Sequence, residues 1–121
     1  MSQPATILLV DDSRASRMLC AAVMRSLHPG LHLLEAGDGA AALALLDDAH
    51  PDLAVLDMNM PGMSGIELAE RLRLSHPGMK LALLTANAQE AVQCRAAALG
   101  VHFFRKPIGE TVIADILALL E

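Results

Sequence analysis

Two aspartates stand side by side at the end of an apolar run in "ATILLVDDSR", residues 5–14. Adjacent carboxylates repel, and a buried one without a partner is costly or shifts its pKa. Other apolar runs end in polar residues too. Asp57 closes "LAVLD", Thr85 closes "KLALLT", and Lys106 follows "VHFFR". If these runs are parallel strands, their carboxyl ends share one rim, where open α/β sheets bind ligands. Three carboxylates brought together need a cation. Oxygen ligands without Cys or His select a hard one, and Mg²⁺ fits, held by one or two carboxylates, a carbonyl and several waters. A lysine on the same rim suits a phosphoryl group. Metal, lysine and a carboxylate nucleophile are the inventory for phosphoryl transfer to aspartate.

The elements that must position these residues follow from the pattern of the chain. Short apolar runs at 6–10, 31–36, 53–57, 80–85 and 101–105 predict five strands. Helices are expected over Ser13–His28, Gly39–His50, Ser64–His76, Gln89–Gly100 and Ile108–Glu121. The last is the clearest, with Val112, Ile113, Ile116, Leu117 and Leu120 at helical spacing. "HPG" at 28–30 and 76–78, "HP" at 50–51 and Gly100 supply the breaks. Ser13, Asp38 and Ser64 are expected N-caps, and His28, His50 and His76 are read as helix-end residues. Strands alternating with helices imply right-handed βαβ units and a parallel sheet covered on both faces. The nearly all-apolar runs 6–10, 53–57 and 81–85 suit inner strands. The runs carrying His32 and Glu35, and His102 and Arg105, suit edges.

Composition narrows the class. The 121 residues match one ordinary domain, here 1–121, with enough chain for a core. Hydrophobic content of 54% and a mean hydropathy of +0.43 exclude disorder. No run reaches the ~20 residues that cross a bilayer. The start "MSQPAT" has no signal-peptide character, which predicts a cytoplasmic protein. A net charge of −5 argues against a nucleic-acid surface on this domain. Cys20 and Cys94 have no ligand spacing and are read as small buried hydrophobes.

The chain resembles the receiver domains of two-component response regulators, the CheY-like family. The matching stretches are "VDDSR" (10–14), "LDMNMPGMSGIEL" (56–68), "LLTA" (83–86) and "FFRKP" (103–107), in order and over essentially the whole chain. The resemblance implies a flavodoxin-like (βα)5 doubly wound fold, strand order 2-1-3-4-5, with helices 1 and 5 on one face and 2 to 4 on the other. It makes Asp57 the phospho-acceptor. Asp12, Asp57 and the Asn59 backbone carbonyl would ligate Mg²⁺, with Asp11 acting through a metal-bound water. Thr85 would turn its hydroxyl onto the phosphoryl group, Lys106 would pair with it, and Lys106–Pro107 would be a cis peptide. Phe103 would be the aromatic switch, leaving Phe104 to the core. The implied donor is a sensor histidine kinase or a histidine phosphotransfer protein, docking on helix 1. The implied output is an effector protein or a tethered output domain, reached through the helix 4–strand 5–helix 5 face. The chain would be a monomer or a phosphorylation-dependent dimer.

Other residues carry weaker readings. Arg14 and Arg17 lie near the acidic residues, as docking charges or simply solvated ones. Met58, Met60 and Met63 are expected to pack within their loop. Asn59 and Asn87 stand where the family tunes phosphate lifetime. A Mg²⁺-dependent phosphatase is the rival class, but its usual second aspartate would occupy position 59, which is Asn. A flavodoxin-like cofactor binder lacks a phosphate loop after the first strand, and a pseudo-receiver would not keep all five site residues. Both a stand-alone receiver and an excised N-terminal receiver remain open.

Overall fold

The alternation written into the chain becomes a five-stranded parallel sheet in a computed structural model that describes residues 4–87 and 89–121. In chain order the elements are β1 (Thr6–Val10), α1 (Arg14–Leu27), β2 (His32–Ala36), α2 (Gly39–Leu45), β3 (Leu53–Leu56) and α3 (Gly65–Ser75). There follow β4 (Lys80–Thr85), α4 (Glu90–Ala98), β5 (His102–Arg105) and α5 (Glu110–Leu117), with a 3₁₀ turn over Ala118–Leu120. The strand order is β2-β1-β3-β4-β5. The flavodoxin-like expectation holds. β1, β3 and β4 lie inside, and β2 and β5 form the half-exposed edges.

Alternation along each inner strand builds two apolar layers. Leu8, Val10, Leu56 and Leu83 face α2, α3 and α4, meeting Ala42, Ile66, Leu72 and Ala96. Ile7, Leu9, Val55 and Leu84 face the other way, onto Cys20 and Met24 of α1 and Ile113 and Ile116 of α5. Both sheet faces are thereby covered, which is why the inner strands have no polar side. Register brings the strand ends level: Val10 pairs with Leu56, Leu56 with Leu83, and Thr85 with Arg105.

Caps fix where the helices begin. Ser13 accepts a hydrogen bond from Ser16 N, and Asp38 accepts one from Ala41 N at 2.7 Å. Ser64 and Glu67 form a reciprocal capping box on α3. Gly100 breaks α4 as the sequence predicts, with φ +72° and Val101 N donating to Ala96 O at 2.8 Å, although the helix itself runs only from Glu90 to Ala98.

Some expectations need correction. α2 stops at Leu45 rather than His50. Its last N–H groups, from Leu46 to Asp48, tighten onto carbonyls three residues back. Two adjacent acids at a helix C-terminus also oppose its dipole. His50 therefore lies past the helix end, whereas His28 and His76 are C-caps. The last helix begins at Glu110 and finishes as the 3₁₀ turn. Cys20 is buried but Cys94 is exposed on α4. Phe104 is only half-buried, because β5 is an edge strand.

Candidate functional site

Backbone geometry at the strand ends places Asp11, Asp57 and Lys106. Asp11 follows β1, and its N–H still donates to Ala36 O of β2 at 3.2 Å. Asp57 follows β3 with its N–H on Val10 O at 2.9 Å, so β1 holds the acceptor's backbone. Thr85 is the last residue of β4, and Lys106, just past β5, donates its N–H to Thr85 O at 3.0 Å. The Lys106–Pro107 peptide bond is cis.

The side chains then converge. Lys106 Nζ lies 3.0 Å from Asp11 Oδ2 and 3.5 Å from Asp57 Oδ2. Asp11, Asp12 and Asp57 each offer an oxygen, and these oxygens all lie within 4.8 Å of one another. Asp11 and Asp57 are each 9% exposed, while Asp12 is open to solvent. The second oxygens of the buried pair are held by backbone: Asp11 Oδ1 accepts from Ser13 N at 2.9 Å, and Asp57 Oδ1 from Met58 N at 2.8 Å. Three carboxylates meet one ammonium, so negative charge is left in excess.

Burial and the neighbouring charges both act on the ionisation of the site. Burial, and then the neighbouring Asp11 charge, push the Asp57 carboxyl above its ordinary value, although Lys106, Thr85 and the Met58 N–H pull the other way. Burial works to lower the Lys106 ammonium. The Asp11 hydrogen bond and the Asp57 charge outweigh it, and the net shift is upward. A hard dication would offset the remaining charge. The donor set is oxygen only, two of its carboxylates are preorganised, and the third faces solvent, open to a hydrated ion. The residues fit Mg²⁺.

Thr85 is 1% exposed, and its hydroxyl accepts from Asn87 N at 3.0 Å. Asn87 Nδ2 in turn donates to Asn59 Oδ1 at 3.3 Å, joining the loops after β3 and β4 across the mouth of the site. Phe103 pairs with Leu83 in register and packs on the α2–α4 side, the face that Thr85 shares with Leu83 by alternation. Phe104 packs on the α1–α5 side. Met58, Met60 and Met63 are half-buried against the α2–α4 layer, as loop packing requires.

Four features escaped the sequence reading. Arg17 is not a free docking charge: it donates to the Asp11 backbone carbonyl at 2.6 Å and pairs with Glu35 at 3.3 Å. Ser16 Oγ lies 3.4 Å from Lys106 Nζ. The Asn59–Asn87 bond depends on two loops meeting. Gly65 is the fourth, because a Cβ there would stand 2.2 Å from Asp57 O. Its only sequence signal was the "SGIEL" stretch that follows a cap. The Cys20 thiol, packed beneath Asp11, is pushed up to about 12 by burial and then by Asp11, and so stays protonated and inert.

This arrangement on this topology defines a class. The family model described as the response regulator receiver domain matches residues 7–118, and the chain belongs to that family. It is 37% identical over 122 residues to the probable transcriptional regulatory protein TcrX of Mycobacterium tuberculosis, covering 98% of this chain and 50% of that protein. It is 32% identical to sporulation initiation phosphotransferase F of Bacillus subtilis, covering 90% of this chain and 87% of that one. A solved CheY-like receiver domain protein from Methanospirillum hungatei JF-1 superposes with a TM-score of 0.89 at 25% identity, covering 97% of this chain and 94% of that one. The chain spans half or less of the length of several curated relatives, down to 9% of the Bordetella pertussis virulence sensor BvgS. Receiver domains are signalling modules of two-component systems. Among the described residues no helix is long and apolar enough to cross a membrane.

Proposed function

We propose that this domain is a phosphorylation-operated switch in which Asp57 accepts a phosphoryl group from a phosphohistidine. The donor is a sensor histidine kinase or a histidine phosphotransfer protein. The observation that carries the reading is the single ammonium of Lys106 shared between Asp11 and Asp57, with Asp12 completing an all-oxygen triad. Asp12, Asp57 and the Asn59 carbonyl would hold Mg²⁺, with Asp11 acting through a bound water. When bound, the ion supplies charge neutralisation for the phosphoryl oxygens.

The residues of the chain do the rest. An Asp57 carboxylate oxygen attacks phosphorus in line, the new O–P bond forms as the P–N bond breaks, and the imidazole nitrogen keeps the electron pair. Burial and the Met58 N–H orient the nucleophile, and Lys106 steadies charge on the moving group. Water later hydrolyses the aspartyl phosphate, which ends the signal. Thr85, released from Asn87 N–H, turns its hydroxyl to the phosphoryl oxygen. Phe103 follows into the space left on the same sheet face and alters the α4–β5–α5 surface. That surface serves an effector or a tethered output domain. We place the protein in the cytoplasm, with 1–121 as one receiver unit, monomeric or dimerising on phosphorylation. The negative net charge favours protein partners over nucleic acid.

The test is intact mass after incubation with Mg²⁺ and a small acyl phosphate. One added phosphoryl group, dependent on Mg²⁺ and labile to hydroxylamine, is the expected result. An unchanged mass beside a control receiver that is modified refutes the reading.

A further inference from the structure

Asp12 differs from its neighbours in what holds it. Asp11 is fixed at its N–H, its carbonyl and both carboxylate oxygens, and Asp57 is fixed by backbone and lysine. The Asp12 carboxylate, among the described residues, accepts no hydrogen bond and joins no ion pair, and it is exposed. Its position therefore depends on the peptide plane that carries it, the Asp11–Asp12 peptide. The carbonyl of that plane is the one Arg17 grips from α1 at 2.6 Å. Arg17 is itself braced from β2 by Glu35, and its side chain is only 18% exposed.

We infer that the Arg17–Glu35 pair is a positioning device for the metal-binding carboxylates, aiming Asp12 through the Asp11 carbonyl. This rests on the proposed Mg²⁺ site and names residues that act on it without touching the ion. The guanidinium fork suits the task because one nitrogen can hold the carbonyl while another holds the carboxylate. The two opposite charges largely cancel at a distance. The pair contributes geometry more than field, and outer partners of this kind tune affinity strongly.

The experiment uses Mg²⁺ titration of the whole chain, followed by amide shifts of residues 11–13 and 57–59 in ¹⁵N NMR spectra. The double variant Arg17→Met with Glu35→Gln removes one charge of each sign and so isolates the grip. Its Mg²⁺ Kd is expected to rise about 10-fold, and Glu35→Gln alone moves it in the same direction by less. Phosphorylation by a small acyl phosphate then needs more Mg²⁺ but regains its rate at saturation. That split is one a merely structural role would not produce. A Kd within twofold of wild type in folded variants overturns the inference. If the double variant does not fold, Arg17→Lys, which keeps the charge but gives up the fork, decides by the same criterion. A wild-type protein whose amides ignore Mg²⁺ overturns the functional reading, and this inference with it.

Discussion

Gly65→Ala is the substitution whose consequence the structure fixes most sharply. A Cβ at this position would sit 2.2 Å from Asp57 O, 2.9 Å from Asp57 C and 2.9 Å from Leu83 Cδ1. Carbon and carbonyl oxygen settle at about 3.3 Å or more, so a gap of about 1 Å must open. The leucine end can swing away. The Asp57 carbonyl cannot, because the peptide on its N-terminal side is held by Val10 O and the one after it leads to Met58, whose carbonyl takes the Gly65 N–H at 2.9 Å. The movement falls on α3, whose Ile66, Leu68, Ala69 and Leu72 are all fully buried. A gap of 0.5–1 Å forfeits roughly a quarter to a half of each dispersion contact, and overpacking typically costs about 1–3 kcal/mol. With a backbone atom as the obstacle the upper end of that range applies, about 3 kcal/mol, and at the first helical position the preference of Ala over Gly returns little of it. Urea unfolding followed by far-ultraviolet circular dichroism, suited to a chain without Trp or Tyr, should show a loss of about 3 kcal/mol. Gly30→Ala, with nothing within 4 Å of its Cβ, should stay within about 0.5 kcal/mol. Because the displaced start of α3 closes the loop that runs from Asp57 through Asn59, with Gly65 N–H on Met58 O, phosphorylation should also slow at temperatures where the variant is folded. A Gly65→Ala protein within 1 kcal/mol of wild type would refute the reasoning.

Four further outcomes are expected. Ser64→Ala breaks the capping box that holds Glu67 below the usual carboxylate range. It should lose about 1 kcal/mol, or about 3–5 °C in Tm, at neutral pH, and progressively less as acid protonates Glu67. Asp57→Asn should be more stable than wild type in EDTA at pH 8. Because the folded pKa of Asp57 is raised, wild-type stability falls as pH rises from the unfolded value through the folded one, so the gap closes in acid and Mg²⁺ reverses it; calorimetry across pH checks the sign. Lys106→Met should slow phosphorylation by about 100-fold or more while Mg²⁺ still shifts the NMR spectrum. Cys94 should react with a maleimide at pH 8 in the native protein, and Cys20, with about one thiolate in ten thousand, only after unfolding; mass spectrometry reads both.

The fold was legible because each local choice in the chain agrees with the global one. Continuous apolar strands, Ser and Asp caps, and Gly100 at a left-handed helix end point to one doubly wound sheet. Helix limits were overdrawn by a residue or more where His28 and His76 are caps outside the helix proper, and further in α2, where no breaker precedes Pro51. The carboxylates, Thr85 and Lys106 were visible as residues that end apolar runs. Arg17 was not, since a helical arginine looks the same whether it is solvated or folded back onto a carbonyl. Nor was Gly65, whose meaning lies in the approach of α3 to β3. Cys94 was misjudged because α4, rich in Ala, shows no clear apolar stripe from which its inner face could be read.

The most direct test of the central claim is to find which residue carries the phosphoryl group. Protein phosphorylated with Mg²⁺ and an acyl phosphate would be reduced with borohydride, which converts an aspartyl phosphate to homoserine, then digested and sequenced by tandem mass spectrometry. The account predicts homoserine at position 57 alone, and none in Asp57→Asn. Homoserine at position 11 or 12, or none anywhere in a protein that has gained phosphate, would contradict it.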